Sequence, residues 1–267
     1  DALALRIASL DLPPSGWSAP ARADALTRLS AMGLPSKRDE YWRYTDPTSL
    51  TAVAPVDAAP FEYSDEKMVF TGIDRLRLVF VDGVFDADAS DDPTLAGVEI
   101  SRLSASGDLH WARDMYGVLE TRGQTPVQRP LAALNTAFAT DGVMIRATGK
   151  AKKPVSLIYL HKSNDSDAIL HHCIKIETGA ELTVLENGPA AARLNKVMEV
   201  EVAEGGKFHH IRTQGRDHER RAVTHIFARL AANALFKSFT LTANGHLTRN
   251  EAIIEFPGDD AVAHVAG

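Results

Sequence analysis

The chain is poor in cysteine. Only Cys173 occurs among 267 residues, so no disulfide can form within it, and a lone thiol points to a reducing compartment. Long apolar runs are absent as well. No window of about 18 apolar residues occurs, which excludes a helical membrane span. The stretch Asp1-Ala2-Leu3-Ala4-Leu5-Arg6 lacks a basic start followed by an apolar core, so it does not read as a secretory signal. Positive charge is in deficit: 29 Lys and Arg stand against 35 Asp and Glu, a net charge of -6. That balance offers no electrostatic footprint for nucleic acid or an anionic membrane. These absences predict a cytoplasmic protein with neither partner.

Signatures of catalysis are missing too. Lys150 and Lys207 follow glycines, but no second glycine stands where a phosphate loop requires one. His218-Glu219 is followed by Ala222 where a zinc-protease helix needs histidine. There is no nucleophile elbow and no cysteine pair at metal spacing. Neither catalysis nor nucleotide binding is expected of this chain alone.

What is present is globular: 45% hydrophobic and 24% charged residues can bury a core in one large or two smaller domains. The sequence divides around residues 130–145. Pro130 can open a helix, Leu131, Leu134 and Phe138 share its face, Asp141-Gly142 turns, and Val143-Met144-Ile145 begins a strand. Before this stretch, Leu3, Ile7 and Leu10 have helical spacing. So do Ala25 or Leu26, Leu29 and Met32, between a start at Ser18 to Pro20 and a stop at Gly33. The run Gly33 to Thr45 is dense in aromatic and charged residues. Trp42 and Tyr44 either form a binding surface or pin the segment to its neighbour, and the usual burial of aromatic rings favours pinning. Residues 51–66 read as a linker. Arg75 to Val81 is a strand that Asp82-Gly83 joins to Val84-Phe85 as a hairpin. Asp86, Asp88, Asp91 and Asp92 lie on a solvated loop without the glycine and distant glutamate of a calcium site. Leu109, Ala112, Tyr116 and Leu119 form a helical stripe.

Past residue 150 the pattern is β. Strand candidates are Val155–His161, Ile169–Glu177, Glu181–Glu186, Lys196–Ala203, Lys207–Thr213, Ala222–Leu230, Ala234–Thr242 and His246–Phe256. Met198, Val200 and Val202 oppose Glu199 and Glu201. Leu235, Phe239 and Leu241 oppose Ser238, Thr240 and Thr242. Gly205-Gly206 and Asn244-Gly245 between strands favour antiparallel hairpins and hence a sandwich, with a barrel or solenoid as alternatives. The pairs His171-His172 and His209-His210 point to opposite faces, so neither can chelate one ion unaided. Cys173 shares a face with His171 and Lys175. The run Arg216 to Arg221 reads as a solvated loop.

Several pieces, in order, carry a family resemblance. They are Gly33-Leu34-Pro35 with Glu40, Trp42, Tyr44 and Thr45; Val81-Asp82-Gly83-Val84-Phe85; Leu134-Asn135-Thr136-Ala137-Phe138 with Asp141-Gly142; Gly179 to Glu186; and Leu247-Thr248-Arg249-Asn250. Together they resemble the SufB/SufD family of the SUF iron–sulfur cluster assembly scaffold. The single cysteine and short helical region are similar to the SufD type. The resemblance implies a mainly β fold, a right-handed parallel β-helix (solenoid) behind an N-terminal helical region, in place of the sandwich. It divides the chain at 1–125, helical and mixed α/β, and 126–267, the β-helix core. The last residues stop in mid-pattern and the first is not methionine, so the sequence is expected to be a fragment.

By the same resemblance the chain is a non-catalytic scaffold subunit that pairs with SufB and works with the ATPase SufC, as a homo- or heterodimer. No cofactor is expected on this chain alone, and an iron–sulfur cluster is expected in the assembled complex. The family-motif residues are Trp42, Tyr44, Asn135, Phe138, Asp141, Gly142 and Arg249. Weak metal-ligand candidates are Cys173, His209 and His225. Two other classes stay open: a β-helix polysaccharide-active enzyme, for which Glu199 and Glu201 share a face, and a self-associating structural module.

Overall fold

The structure is a computed structural model, and it describes residues 2–13, 16–60, 69–104, 107, 109–215 and 218–267. In chain order its helices and strands are α1 (Ala2–Ala8), α2 (Ala19–Met32), α3 (Thr48–Thr51), β1 (Leu76–Val81), β2 (Val84–Asp86), β3 (Glu99–Arg102), α4 (His110–Arg113), α5 (Val118–Arg122), α6 (Pro130–Phe138), β4 (Val143–Ala147), β5 (Val155–Leu160), β6 (Asp167–Ile176), β7 (Glu181–Asn187), β8 (Arg193–Val202), β9 (Lys207–Gln214), β10 (Arg221–Leu230), β11 (Leu235–Thr242), β12 (Leu247–Glu255) and β13 (Val262–Ala266). Strand candidates past residue 150 thus fall within a few residues of β5 to β12. The run at 262–267 adds the strand β13.

From β4 onward the chain alternates between two sheets. One has the order β13-β11-β9-β7-β5-β1-β2 and the other β12-β10-β8-β6-β4-β3. From β6 onward each strand therefore pairs in parallel with the strand two before it, while β5 pairs in parallel with β1 and β4 antiparallel with β3. Register partners Met144 and Cys173 lie 29 residues apart, His171 and Val197 26, Val197 and His225 28, and His225 and Glu251 26. The result is a β-solenoid of about four turns. The local case for antiparallel hairpins fails at both glycine pairs. Gly205 (φ 65°), Asn244 (φ 59°) and Gly245 (φ 93°) take left-handed conformations at corners that send the chain from one sheet to the other. The Asp82-Gly83 turn does make an antiparallel hairpin, pairing Val81 with Val84.

Parallel stacking sets the core. Alternate residues point inward, so register partners form columns along the axis, such as Ile174–Val200–Ala228–Ile254 and Leu182–Phe208–Phe236. The strand β11 keeps Phe236 inward, but its second half departs from apolar-in, polar-out alternation. Ser238 is buried, while Phe239 and Leu241 are 46% and 53% exposed. Close stacking also dictates one residue in the dividing stretch. A Cβ on Gly142 would sit 1.8 Å from the carbonyl oxygen of His171, so only glycine fits.

Helices cover the outer face of the second sheet. All nine residues of α6 are buried, because α2 packs on one side of it and β6, β8 and β10 on the other. Ala133, Leu134, Ala137 and Phe138 share a cluster with Met144, Ile169 and Cys173. Two arginines fasten the N-terminal part: Arg6 of α1 and Arg193 of β8 both pair with Asp167, at 2.7 and 2.6 Å. The stripe from Leu109 to Leu119 is two short helices, α4 and α5, divided by Gly117 at φ 76°. The linker at 51–66 is described only to Pro60. Within the run Arg216 to Arg221, Arg216 and Asp217 lie outside the described residues, and Arg220 and Arg221 are buried instead of solvated. Among the described residues no helix is long and apolar enough to cross a membrane.

Val200 is wholly buried in an inward column, whereas Phe239 points outward. Val200→Asp is expected to cost about 3–5 kcal/mol of unfolding free energy, because the charge has no counter-ion there. Phe239→Asp should cost less than about 1 kcal/mol. Denaturant titrations of both variants check this. Equal losses would contradict the assignment of faces.

Candidate functional site

The strands β6 and β8 bring His171, Cys173 and Glu199 together beneath the helical cover. Their ligand atoms lie within 4.8 Å of one another, and all three side chains are fully buried. His171 Nε2 is 2.7 Å from Glu199 Oε1, and the Cys173 Sγ is 3.9 Å from the same oxygen. The Tyr116 ring lies over His171 with centroids 4.3 Å apart, and its hydroxyl donates to the Thr136 carbonyl at 2.7 Å.

Glu199 is not the solvated glutamate that alternation alone describes. The break at Gly117 exposes backbone donors, and the carboxylate takes them. Gly117 N–H reaches Oε1 at 2.5 Å, while Leu119 and Glu120 N–H reach Oε2 at 2.7 and 3.1 Å. With His171 and the weakly donating Cys173 thiol, Oε1 accepts three hydrogen bonds and Oε2 two, which fills a carboxylate's roughly four acceptor sites. Burial, followed by the nearby Glu199 charge, pushes the Cys173 thiol well above its usual range, so it stays protonated. Burial also lowers the pKa of His171. A metal ion or cluster would have to displace the His171 N–H and ionise that thiol. This donor set therefore fits a clamp between α5 and the solenoid, and it does not fit a metal centre as it stands.

The other histidine candidates lie elsewhere. His209 sits on β9, in the opposite sheet from Cys173. His225 shares the sheet of Cys173, but Val197 separates it from His171 in the register. Its Nε2 faces Glu251 at 3.9 Å, and burial lowers its pKa to about 4. The family-motif residues gather mainly where helix meets sheet. Asn135 Nδ2 donates to the carbonyls of Leu170 and Asn195, at 3.0 and 2.9 Å, and so fixes α6 across two strands. Phe138 is buried beside it. Asp141 accepts from Arg102 Nε at 3.1 Å and from Gly142 N–H at 2.9 Å. Trp42 is buried under the Arg249 guanidinium, with Cζ 4.2 Å from the ring centroid. Tyr44 is 90% exposed and carries Arg43 over its ring at 5.6 Å. Trp42 thus follows the pinning reading and Tyr44 does not.

A second cluster lies inside the solenoid and has no counterpart in the sequence reading. Glu186 accepts from Lys196 Nζ at 2.6 Å, from His210 Nε2 at 2.7 Å and from the Tyr159 hydroxyl at 3.0 Å. His210 Nδ1 faces Ser238 Oγ at 2.8 Å. His172 Nδ1 accepts from Val143 N–H at 3.0 Å, so its proton is on Nε2, which donates to the Tyr159 oxygen at 3.0 Å. Deeper toward the fourth turn, Arg212 donates to Thr224, and Thr224 to Asn250, each at 2.8 Å. Burial alone would raise the pKa of Glu186; Lys196 and the His210 hydrogen bond outweigh it and hold the carboxyl well below its usual range. Burial and then Arg212 lower Lys196 to about 7. The signal was available: Lys196 occupies the same alternation phase as Met198 and Val200.

Two outcomes are expected. Glu199→Ala strips the partner from three backbone N–H groups and should cost about 3 kcal/mol or more. Amide exchange should quicken at Gly117, Leu119 and Glu120 before the strands respond, and uniform exchange would contradict the clamp. Lys196 binds its proton less tightly folded, at about 7, than unfolded, at 10.5. Between those values the unfolded chain holds more protons, so stability should rise with pH across that window. Lys196→Met should lose that rise; an unchanged slope in thermal melts would contradict it.

Residues 159–267 match the SufBD core domain of the SUF system for iron–sulfur cluster assembly. The chain is also similar to an iron–sulfur cluster assembly SufBD family protein of Synechocystis sp., at 26% identity over 212 residues. That alignment covers 72% of this chain and 46% of the relative, so the chain spans about half the length of the curated protein it matches. The parallel solenoid, the core-domain match over residues 159–267 and the cyanobacterial relative all support a likeness to SufB/SufD-type iron–sulfur cluster assembly proteins.

Proposed function

We propose that the chain is a SufD-type scaffold subunit in SUF iron–sulfur cluster assembly, acting in the cytoplasm beside SufB and the ATPase SufC. The observation that carries this reading is the coincidence of the SufBD core-domain match, residues 159–267, with the solenoid from the end of β5 onward. Its role is to hold geometry, not to catalyse. Strand edges of a parallel solenoid can be extended by another chain, which gives SufB or a second copy a way to dock. The single thiol, Cys173, is committed to the buried face, so an iron–sulfur cluster would take its thiolates from a partner at an interface.

The polysaccharide-enzyme alternative relied on Glu199 and Glu201 as neighbouring carboxylates. Glu199 is wholly buried with both oxygens occupied, so it cannot reach a sugar. Co-expression of the full-length protein with SufB and SufC tests the scaffold reading. A stable complex containing all three is the expected result, with ATPase activity confined to SufC. Recovery of the chain alone, under conditions where SufB and SufC co-purify, would overturn it.

A further inference from the structure

Two pieces of sequence some two hundred residues apart meet at one cleft. The aromatic run supplies Tyr41 and Thr45, and the run on β12 supplies Thr248, Arg249 and Asn250. Arg129, Glu251 and Ala252 complete a concavity of about 510 Å³. None of the chemistry described above uses it.

Arg249 is the fixed element of this cleft. Its guanidinium lies against two rings, 4.2 Å from the Trp42 centroid and 5.2 Å from that of Tyr41. Its Nε donates to Glu251 Oε1 at 2.6 Å. Only 17% of the side chain is exposed, so its rotamer is held by packing. Yet among the described residues its two terminal nitrogens have no acceptor. The neighbouring Arg129 differs in this respect. It gives Nε to Glu251 Oε2 at 2.8 Å and Nη1 to the carbonyls of Gly123 and Val127 at 2.6 and 2.8 Å. Arg129 is therefore spent on structure, and Arg249 is half spent.

The charges leave a surplus. Two guanidinium groups face one carboxylate, Glu251; burial would raise its pKa, and at neutral pH Arg249 and Arg129 offset that and keep it ionised. His225, beneath it, is neutral at pH 7. The cleft carries one net positive charge behind an oriented pair of N–H donors. Such a fork matches the two oxygens of a carboxylate or phosphate. A side chain already immobilised by aromatic packing loses little entropy on binding. A plain aromatic clip would not need the terminal nitrogens at all.

We propose that Arg249 presents its terminal nitrogens as a binding fork for an oxyanion, a carboxylate or a phosphate, in the cleft between the aromatic segment and β12. The probes are inorganic phosphate and succinate, each titrated into the 267-residue chain at low salt and followed by amide chemical shifts and calorimetry. At least one should give saturable binding, with shifts centred on Tyr41, Thr45 and residues 248–251. Arg249→Met should weaken it at least tenfold. Arg249→Lys keeps the charge and the aliphatic packing but loses the fork, and should weaken it severalfold while thermal melts confirm the fold. Response to phosphate alone would identify a phosphoryl ligand, and response to succinate alone a carboxylate; either supports the site. No saturable response to either anion, or equal affinity in the wild type and folded Arg249→Lys, would overturn it.

Discussion

Each turn of this molecule depends on the parallel hydrogen bonding of a strand to the strand 26 to 29 residues before it. That pairing satisfies the backbone of both sheets and leaves the side chains to arrange themselves in columns. Everything else is fitted around it. Glycine is required at position 142 because the preceding element passes against the next turn's backbone. Left-handed corners are required because the chain must leave one sheet and enter the other within a few residues.

The same geometry forces a choice on every charged residue that falls in a column or under the helices. Glu186 and Glu199 solve the problem in opposite ways. Inside the solenoid, Glu186 gathers side-chain donors from β5, β8 and β9, including a full cation. Under the helical cover, Glu199 is held by three backbone N–H groups and one imidazole. The first carboxylate ties turns to one another. The second ties a layer of helices to the turns. Removing either would strand several buried donors at once, which is costlier than losing one ordinary contact.

Much of this was legible in the sequence. Strand positions, the helix at Pro130 to Phe138, its Asp141-Gly142 turn and the Asp82-Gly83 hairpin follow from periodicity and turn chemistry. Strand direction did not follow, because Gly205-Gly206 and Asn244-Gly245 supply positive φ for a hairpin or a corner alike. Glu199 looked solvated because alternation reports a face and not what covers it. The lumen cluster was hidden for the converse reason: Lys196 and Glu186 sit in apolar phase, where a single sequence shows an exception and not its partner. The break at Gly117 was missed since the stripe from Leu109 to Leu119 keeps helical spacing through it. Cys173 and His171 share a face as read, but the neighbours that decide their chemistry come from β8 and the 117–120 backbone, far away in sequence.

The second half of β11, apolar outward and polar inward, has a consequence for how the chain finds its place. A slip of one residue would carry Phe239 and Leu241 inward and Ser238 outward, but it would also expose Phe236 and bury Lys237, so hydropathy is divided over the register. What opposes it is local. The hydrogen bonds of Ser238 to His210 and of Thr242 to Gln214 hold the strand against β9. Asn233 and Asn244, both left-handed, bracket it at either end. The corners thus act as a ruler that counts residues between two fixed bends, and the interior of the strand reads out a measurement made at its ends. A mutation at Asn233 or Asn244 would accordingly be felt as an error of frame along the whole strand, not as a local fault at the bend.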